Sequence, residues 1–302
     1  MNRSFIKKAS VHVSPLFLVL LFSMDSHAQL NPLGGTYFHN QYLSNPAFAG
    51  LDSGLTLNLH YRQQWSSVPG APKTQTLTSV YGLNEKVGVG LQAYNDVSGL
   101  LRRMRIMGTY AYHLPINGED QKLSFGISLG FMNERVAHED LKGNPADQSV
   151  SRFNERETFI DGDFGVAFTS SHLTIQCAIP NMKTFFKKDE YTARVDRALF
   201  LTAIGYRLYF PESLDGLRIE PKVTFRGVKG YDNMADFGAN VSFANGMVCL
   251  MGIYHTSQSA SFGMGITYQK SISILGIYTT ETSALSTYTN GNFEIALKVN
   301  VF

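Results

Sequence analysis

From about residue 53 to the C-terminus, apolar and polar side chains alternate with period two, the periodicity of a strand that points successive residues to opposite faces. Leu55, Leu57, Leu59 and Tyr61 alternate with Thr56, Asn58, His60 and Arg62. Val87, Val89, Leu91 and Ala93 alternate with Gly88, Gly90, Gln92 and Tyr94, and Leu123, Phe125, Ile127, Leu129 and Phe131 with Ser124, Gly126, Ser128 and Gly130. Leu217, Ile219, Val223 and Phe225 oppose Arg218, Glu220, Lys222, Thr224 and Arg226, with Pro221 as the one irregularity. The same holds for Phe262 to Tyr268 and for Phe293 to Val301. Asn117-Gly118, Asn245-Gly246 and Asn290-Gly291 accept the positive φ of two-residue hairpins, so neighbouring strands are antiparallel. The pattern predicts about fourteen strands, near residues 53–65, 73–82, 86–96, 101–114, 122–135, 157–169, 171–179, 195–210, 215–228, 234–243, 246–256, 260–269, 271–280 and 291–302. Neither a helical period nor a Pro/Ser-rich linker interrupts them, so residues 51–302 form one all-β domain.

Two architectures use many alternating antiparallel strands: a soluble sandwich and a closed barrel in an outer membrane. A sandwich turns its apolar face inward and covers the outside with charge. Here the polar face is rich in Gly, Ser, Thr, Asn and Gln, and charged residues make up 17% of the chain, against roughly 25% in soluble domains. A transmembrane barrel inverts the arrangement, placing apolar residues against lipid, and must close because lipid cannot satisfy an open edge. Composition therefore favours a transmembrane antiparallel β-barrel of the outer membrane. Tyr61, Tyr81, Tyr94, Tyr110, Tyr112, Tyr206, Tyr209, Tyr268 and Tyr278 stand near strand ends, where aromatic girdles form. Phe302 supplies a C-terminal aromatic, one position out of phase with the Phe293 to Val301 series.

The first residues read as an address. Arg3, Lys7 and Lys8 precede an apolar run from Val13 to Phe22, and Ser26-His27-Ala28 offers small residues for cleavage. Residues 1–28 are thus expected to be a secretory signal peptide; the run is too short for a spanning helix, which needs roughly twenty residues.

Charge and motifs remove several function classes. With 26 Lys+Arg against 24 Asp+Glu, nothing electrostatic points to nucleic acid. Cys177 and Cys249 have no metal-ligand spacing. Gly126-Ile127-Ser128-Leu129-Gly130 matches a nucleophile elbow but lies within an alternating strand, where the required strand-turn-helix is absent. His138-Glu139-Asp140 falls in a long polar interval and reads as a solvated loop. His60 and His113 lie in strands with no serine assigned to either, and no cofactor or metal constellation is present in the pattern. Arg102, Arg103 and Arg105 cluster at the start of one strand, Arg103 and Arg105 on one face, where they either line the lumen or meet phosphate-bearing lipid heads at the rim; Asp161 and Asp163 share a face, as do Arg218, Glu220, Lys222 and Arg226, and ordinary solvation in the lumen is expected of them ahead of a charge network across it. The expectation is a protein that is not an enzyme.

The segment from Tyr37 to Gly50, and others that follow it in order along the chain, resemble the PorP/SprF family of outer-membrane components of type IX secretion and gliding machinery. Tyr37-Phe38-His39-Asn40-Gln41-Tyr42-Leu43-Ser44-Asn45-Pro46-Ala47-Phe48-Ala49-Gly50 is similar to its N-terminal signature. Tyr61-Arg62-Gln63-Gln64-Trp65, Gly88 to Gly99, Tyr110-Ala111-Tyr112, Leu123-Ser124-Phe125-Gly126 and Ile179-Pro180-Asn181 follow, while residues 29–36 depart from the usual start. The resemblance implies a non-enzymatic role in exporting, or anchoring at the cell surface, secreted proteins that carry a type IX C-terminal domain, with other secretion components and outer-membrane lipid as neighbours. A passive porin is the alternative that the same alternation serves, and an outer-membrane hydrolase is the third reading.

The residues of the signature carry a physical reading of their own. Asn45-Pro46 starts a turn and Gly50 frees the chain to enter the first strand. Residues 29–50 are poor in charge and rich in aromatics, so they are expected to pack into the lumen or against the periplasmic rim, anchored by Tyr37, Phe38, Tyr42 and Phe48. The intervals 136–156 and 180–194, the latter with Phe185 and Phe186, are the expected outer loops and partner contacts.

Overall fold

The computed structural model describes residues 34–116, 120–137, 158–183, 198–228, 233–280 and 290–301. The alternating segments form β1 (Gly54–Gln64), β2 (Lys73–Asn84), β3 (Val87–Ser98), β4 (Leu101–Pro115), β5 (Lys122–Val136), β6 (Phe159–Thr169), β7 (Leu173–Ile179), β8 (Ala198–Tyr206), β9 (Leu208–Phe210), β10 (Leu217–Val228), β11 (Met234–Phe243), β12 (Val248–His255), β13 (Ser259–Tyr268), β14 (Ile272–Thr279) and β15 (Asn292–Asn300). Each pairs antiparallel with its neighbours, and β15 returns to pair with β1 from Thr56↔Asn300 to Gln64↔Asn292. With β8 and β9 in one stave, both paired to β10, the wall is a closed barrel of 14 staves.

That stave is the one departure from the predicted strands. The interval 195–210 breaks at Arg207. The registers Lys222↔Gly205 and Ile219↔Leu208 leave Pro221 and Glu220 facing the break, and proline has no N–H to give a ladder.

The expected orientation of the faces holds. Leu59, Leu91, Ile127, Leu129, Phe131, Ile266 and Ile295 point outward, Leu129 and Ile266 each 63% exposed, while Thr74, Thr76, Gln92, Ser124, Asp163 and Lys222 are buried inside. Lipid solvates the first set; the second finds hydrogen bonds within. Tyr94 is a correction to the girdle: it shares the inward face of β3 with Gly88, Gly90 and Gln92 and lines a cavity. The other eight tyrosines of that set are exposed on the outside.

The barrel's two ends differ. Gly54, where β1 starts, lies at the same end as Asn300, and the turns there are short: residues 85–86, 170–172, 244–247 and 269–271. The strands that border 137–158, 180–197 and 280–291, which include the expected outer loops, end on the opposite side at Val136, Phe159, Ile179, Ala198, Thr279 and Asn292. On the outward face the apolar belt gives way in steps toward this loop end. The cross-strand row Leu59, Leu77, Ala93, Ile106, Phe131 is followed, two residues on, by Tyr61, Gln75, Asn95, Met104, Asn133.

Candidate functional site

Residues 34–50 lie inside the barrel, fastened to the inner wall from several sides. Three single-turn 3-10 helices, Thr36–Phe38, Gln41–Leu43 and Pro46–Phe48, fold the segment compactly. Asn45 caps the third: its Oδ1 accepts from Ala47 N at 2.9 Å and Pro46 occupies the first turn, where a missing N–H costs nothing.

Glu294 on β15 grips the upstream end. Its carboxylate accepts from Gly35 N (2.8 Å), Thr36 N (3.2 Å) and Thr36 Oγ1 (2.7 Å). His60 and Arg62 of β1 flank it at 3.2 and 3.7 Å. Gly34 has φ +64°, and a Cβ there would run into the Glu294 carboxylate, so the close approach requires glycine.

Asp236 on β11 makes the second clamp. It accepts from Tyr37 Oη, from Arg226 Nε at 2.8 Å and from His255, whose Nδ1 lies at 2.6 Å. Arg226, Asp236 and His255 are fully buried. Burial, followed by the Asp236 charge, pushes the Tyr37 phenol upward, so it remains a proton donor to the carboxylate. His255 Nε2 continues to Ser261 Oγ (2.9 Å), itself bonded to Thr279 Oγ1 (2.7 Å). Asp236-His255-Ser261 has the connectivity of a nucleophilic triad, yet Ser261 is fully buried and its hydroxyl is shared with Thr279. Through Tyr37 the arrangement ties the segment to the wall.

The remaining anchors spread round the wall. Lys222 donates to Phe38 O (3.0 Å), with its ammonium 4.4 Å from the Phe38 ring centroid. Tyr42 Oη meets Thr109 Oγ1 at 2.7 Å, and Thr109 meets Ser128, the serine of the elbow-like motif, also at 2.7 Å. Asn45 Nδ2 reaches Gln176 Oε1 at 3.1 Å. At the short-turn end His113 Nε2 reaches Ala49 O at 3.1 Å and its Nδ1 meets Ser124 Oγ at 2.8 Å.

Two features of the wall make room. Gly88, Gly90, Gly126 and Gly165 face Ala49, Tyr42, Pro46 and Asn45 so closely that a methyl group would collide. Inward positions are also not uniformly polar, contrary to expectation. Leu201, Met251, Ile253, Leu275 and Ile277 face inward and form an apolar bed with Tyr37 and Phe38, while Ala111 and Ala167 pack with Tyr42, Ala47 and Phe48. Hydrophobic burial at about 25 cal/mol per Å² thus adds to the polar clamps.

The charges expected to line the lumen pair with one another there. Arg103 pairs with Glu134 (3.0 Å), Arg105 with Asp163, and Lys222 with Glu220 (3.8 Å). Asp163 also accepts from Asn181 N (2.8 Å) and Asp161 from Lys183 N (3.0 Å), fixing the chain that leaves β7. Between this network and residues 42–46 lies a cavity of about 130 Å³, with Arg62, Tyr94, Arg103 and Arg105 on its wall.

His39 introduces a pH dependence. Burial, then the positive fields of Lys298, Lys222 and Arg218, hold its imidazole down at about 4 from an ordinary 6.5. The released segment takes up a proton that the docked one refuses, so docking is strongest above about 6.5 and weakens as pH falls toward 4. Acidification from pH 7 to 5 should increase opening events in planar bilayers, and His39→Asn should abolish that increase. Equal pH responses in the two proteins would refute the assignment.

Of the residues singled out from sequence, Tyr37, Phe38, Tyr42, Asn45, Pro46 and Phe48 all lie in this lumenal segment, whereas Phe185, Phe186 and His138-Glu139-Asp140 lie outside the described residues. Glu294, Asp236 and His255 were not anticipated. Glu294 carried a faint signal, the one carboxylate on the polar face of its strand, beside Lys298 and Asn300; Asp236 and His255 carried none.

Comparison with known proteins adds the following. A family model described as type IX secretion system membrane protein PorP/SprF matches residues 26–299. No curated protein matches the chain. Among solved structures, the Ralstonia pickettii toluene transporter TbuX is similar at 10% identity and TM-score 0.49, over 85% of this chain and 92% of that one. The Acinetobacter baumannii outer membrane protein Omp33 is similar at 7% identity and TM-score 0.47, over 82% and 97%.

Proposed function

The chain belongs to the PorP/SprF family of type IX secretion system membrane proteins, and from that premise we propose a stoppered, non-enzymatic barrel that assists export or surface anchoring of secreted proteins through their C-terminal domains. In this reading residues 1–28 are a cleaved leader, 29–50 the stopper and 51–302 the barrel. Other components of the secretion and gliding machinery are its neighbours.

The observation that carries the reading is the occupied lumen. A passive pore needs an open polar path, whereas here residues 34–50 are clamped by Glu294, Asp236 and Lys222. The strands that border the long connections end on the side where Tyr94 and Asn181 line the cavity, which suits recognition by loops or by strand addition.

A photocrosslinker at Asn181, installed in cells that export type IX cargo, should capture a cargo C-terminal domain in outer-membrane fractions. Absence of cargo adducts there, together with free passage of small sugars in liposome swelling, would turn the assignment to a porin. Turnover of a lipid ester would turn it to a hydrolase.

A further inference from the structure

The stopper leaves one side of the lumen unfilled. Residues 35–38 are bound to β15, β11 and β10, and residues 42–46 form the floor of the cavity of about 130 Å³ that lies against β1 to β6. Arg103 and Arg105 on its wall are successive inward residues of β4, close to Leu101, where that strand starts at the loop end. Carboxylates orient both. Arg103 Nε donates to Glu134 at 3.0 Å and its Nη1 stands 3.8 Å from Asp96, while Arg105 donates to Asp163 through Nη2.

A guanidinium offers more N–H groups than these contacts use. Arg105 Nε is buried without a hydrogen-bond partner, as is Nδ1 of His60 on the same wall. A buried donor in that condition calls for an acceptor from outside the chain. The spacing selects the acceptor. Side chains two positions apart on a strand stand about 7 Å apart, and an extended peptide lying along β4 repeats its carbonyls at the same interval. With a terminal carboxylate at Arg105, the carbonyl two residues earlier meets Arg103. Tyr94, directly across from Arg105 on β3, lines the cavity and offers its ring to the last side chain. A space of this volume admits a chain terminus and not a folded domain.

We propose that Arg105 and Arg103 form a binding site for the C-terminus of a polypeptide entering from the loop end, Arg105 holding the carboxylate in its fork and Arg103 the preceding carbonyl. The site rests on the reading above, that the barrel engages C-terminal domains of exported proteins, and gives the last residue of such a domain its seat.

The test uses the purified full-length barrel in detergent and fluorescence polarisation of a labelled peptide, copied from the C-terminus of an exported cargo and made both as the free acid and as the C-terminal amide. Hydrogen bonds to a charged group make the free acid bind at least about tenfold tighter. Arg105→Lys keeps the charge and loses the fork, and should weaken the free acid about tenfold while leaving the amide unchanged. Arg105→Gln/Asp163→Asn removes both charges together, so that neither is stranded, and should make the two peptides bind equally. Equal binding of acid and amide by the wild type, binding of neither, or undiminished discrimination by the double variant overturns the site. The intact C-terminal domain, titrated in parallel, separates the two claims. A domain that binds wild type and double variant equally removes the carboxylate seat and keeps the reading. A domain that fails to bind, beside a free acid that binds through Arg105, removes the reading and keeps the seat.

Discussion

Deleting residues 34–50 is expected to raise single-channel conductance at least tenfold over the wild-type barrel, and Glu294→Ala to produce intermittent openings of the same size. The deletion removes the segment that crosses the lumen from Glu294 on β15 to His113 on β4. The substitution leaves the segment in place but frees its upstream end, because one carboxylate accepts from two backbone N–H groups and a hydroxyl and is flanked by His60 and Arg62. Hydrogen bonds to a charged group contribute roughly 1.5–3 kcal/mol each, and about 1.4 kcal/mol moves a docked-to-released ratio tenfold. Tyr37, Lys222 and Asn45 still hold the downstream part, which is why the openings are intermittent. Planar-bilayer recordings of both variants that match wild type would remove the stopper from the account.

The second large effect is on the fold itself. Asp236→Ala should destabilise the barrel by about 3–5 kcal/mol, the usual cost of stripping one partner from a buried ion pair. Arg226 and Asp236 are both fully enclosed, and the carboxylate also collects Tyr37 and His255. Its removal strips the guanidinium of the carboxylate that accepts from both Nε and Nη2. Tyr37→Phe deletes one hydrogen bond and keeps the ring packed beside Phe38, so its cost should be roughly 0.5–3 kcal/mol. Urea unfolding in detergent separates the two, and an Asp236→Ala protein no less stable than Tyr37→Phe would contradict the clamp.

The difference between those two variants also marks what could be read from the residues. The strands were legible because the barrel imposes one rule on every stave, apolar toward lipid, and the period of two survives even where Gly replaces a side chain, as in β3 and β5. Pro221 announced the weak point of β8 and β9. The lumenal segment was legible as aromatic and uncharged, with Asn45-Pro46 as a turn. Its partners were not, since Glu294 is 258 positions from Thr36 and Asp236 is 199 from Tyr37. No local pattern encodes such a meeting. The inward Leu275 and Ile277 defied the alternation for the same reason: they answer to Tyr37 and Phe38 rather than to lipid. Tyr94 went astray because a tyrosine near a strand end reads as an interface residue, whereas the register assigns it to the lumen.

Arg62 on β1 stands directly opposite Glu294 on β15, so the seam where the cylinder is sewn shut carries the very carboxylate that seizes Gly35 and Thr36. Joining the first and last strands and seating the cork consequently depend on the same carboxylate. A half-built wall offers the cork only part of its socket, and a sealed wall without the cork leaves that carboxylate lacking its amide donors.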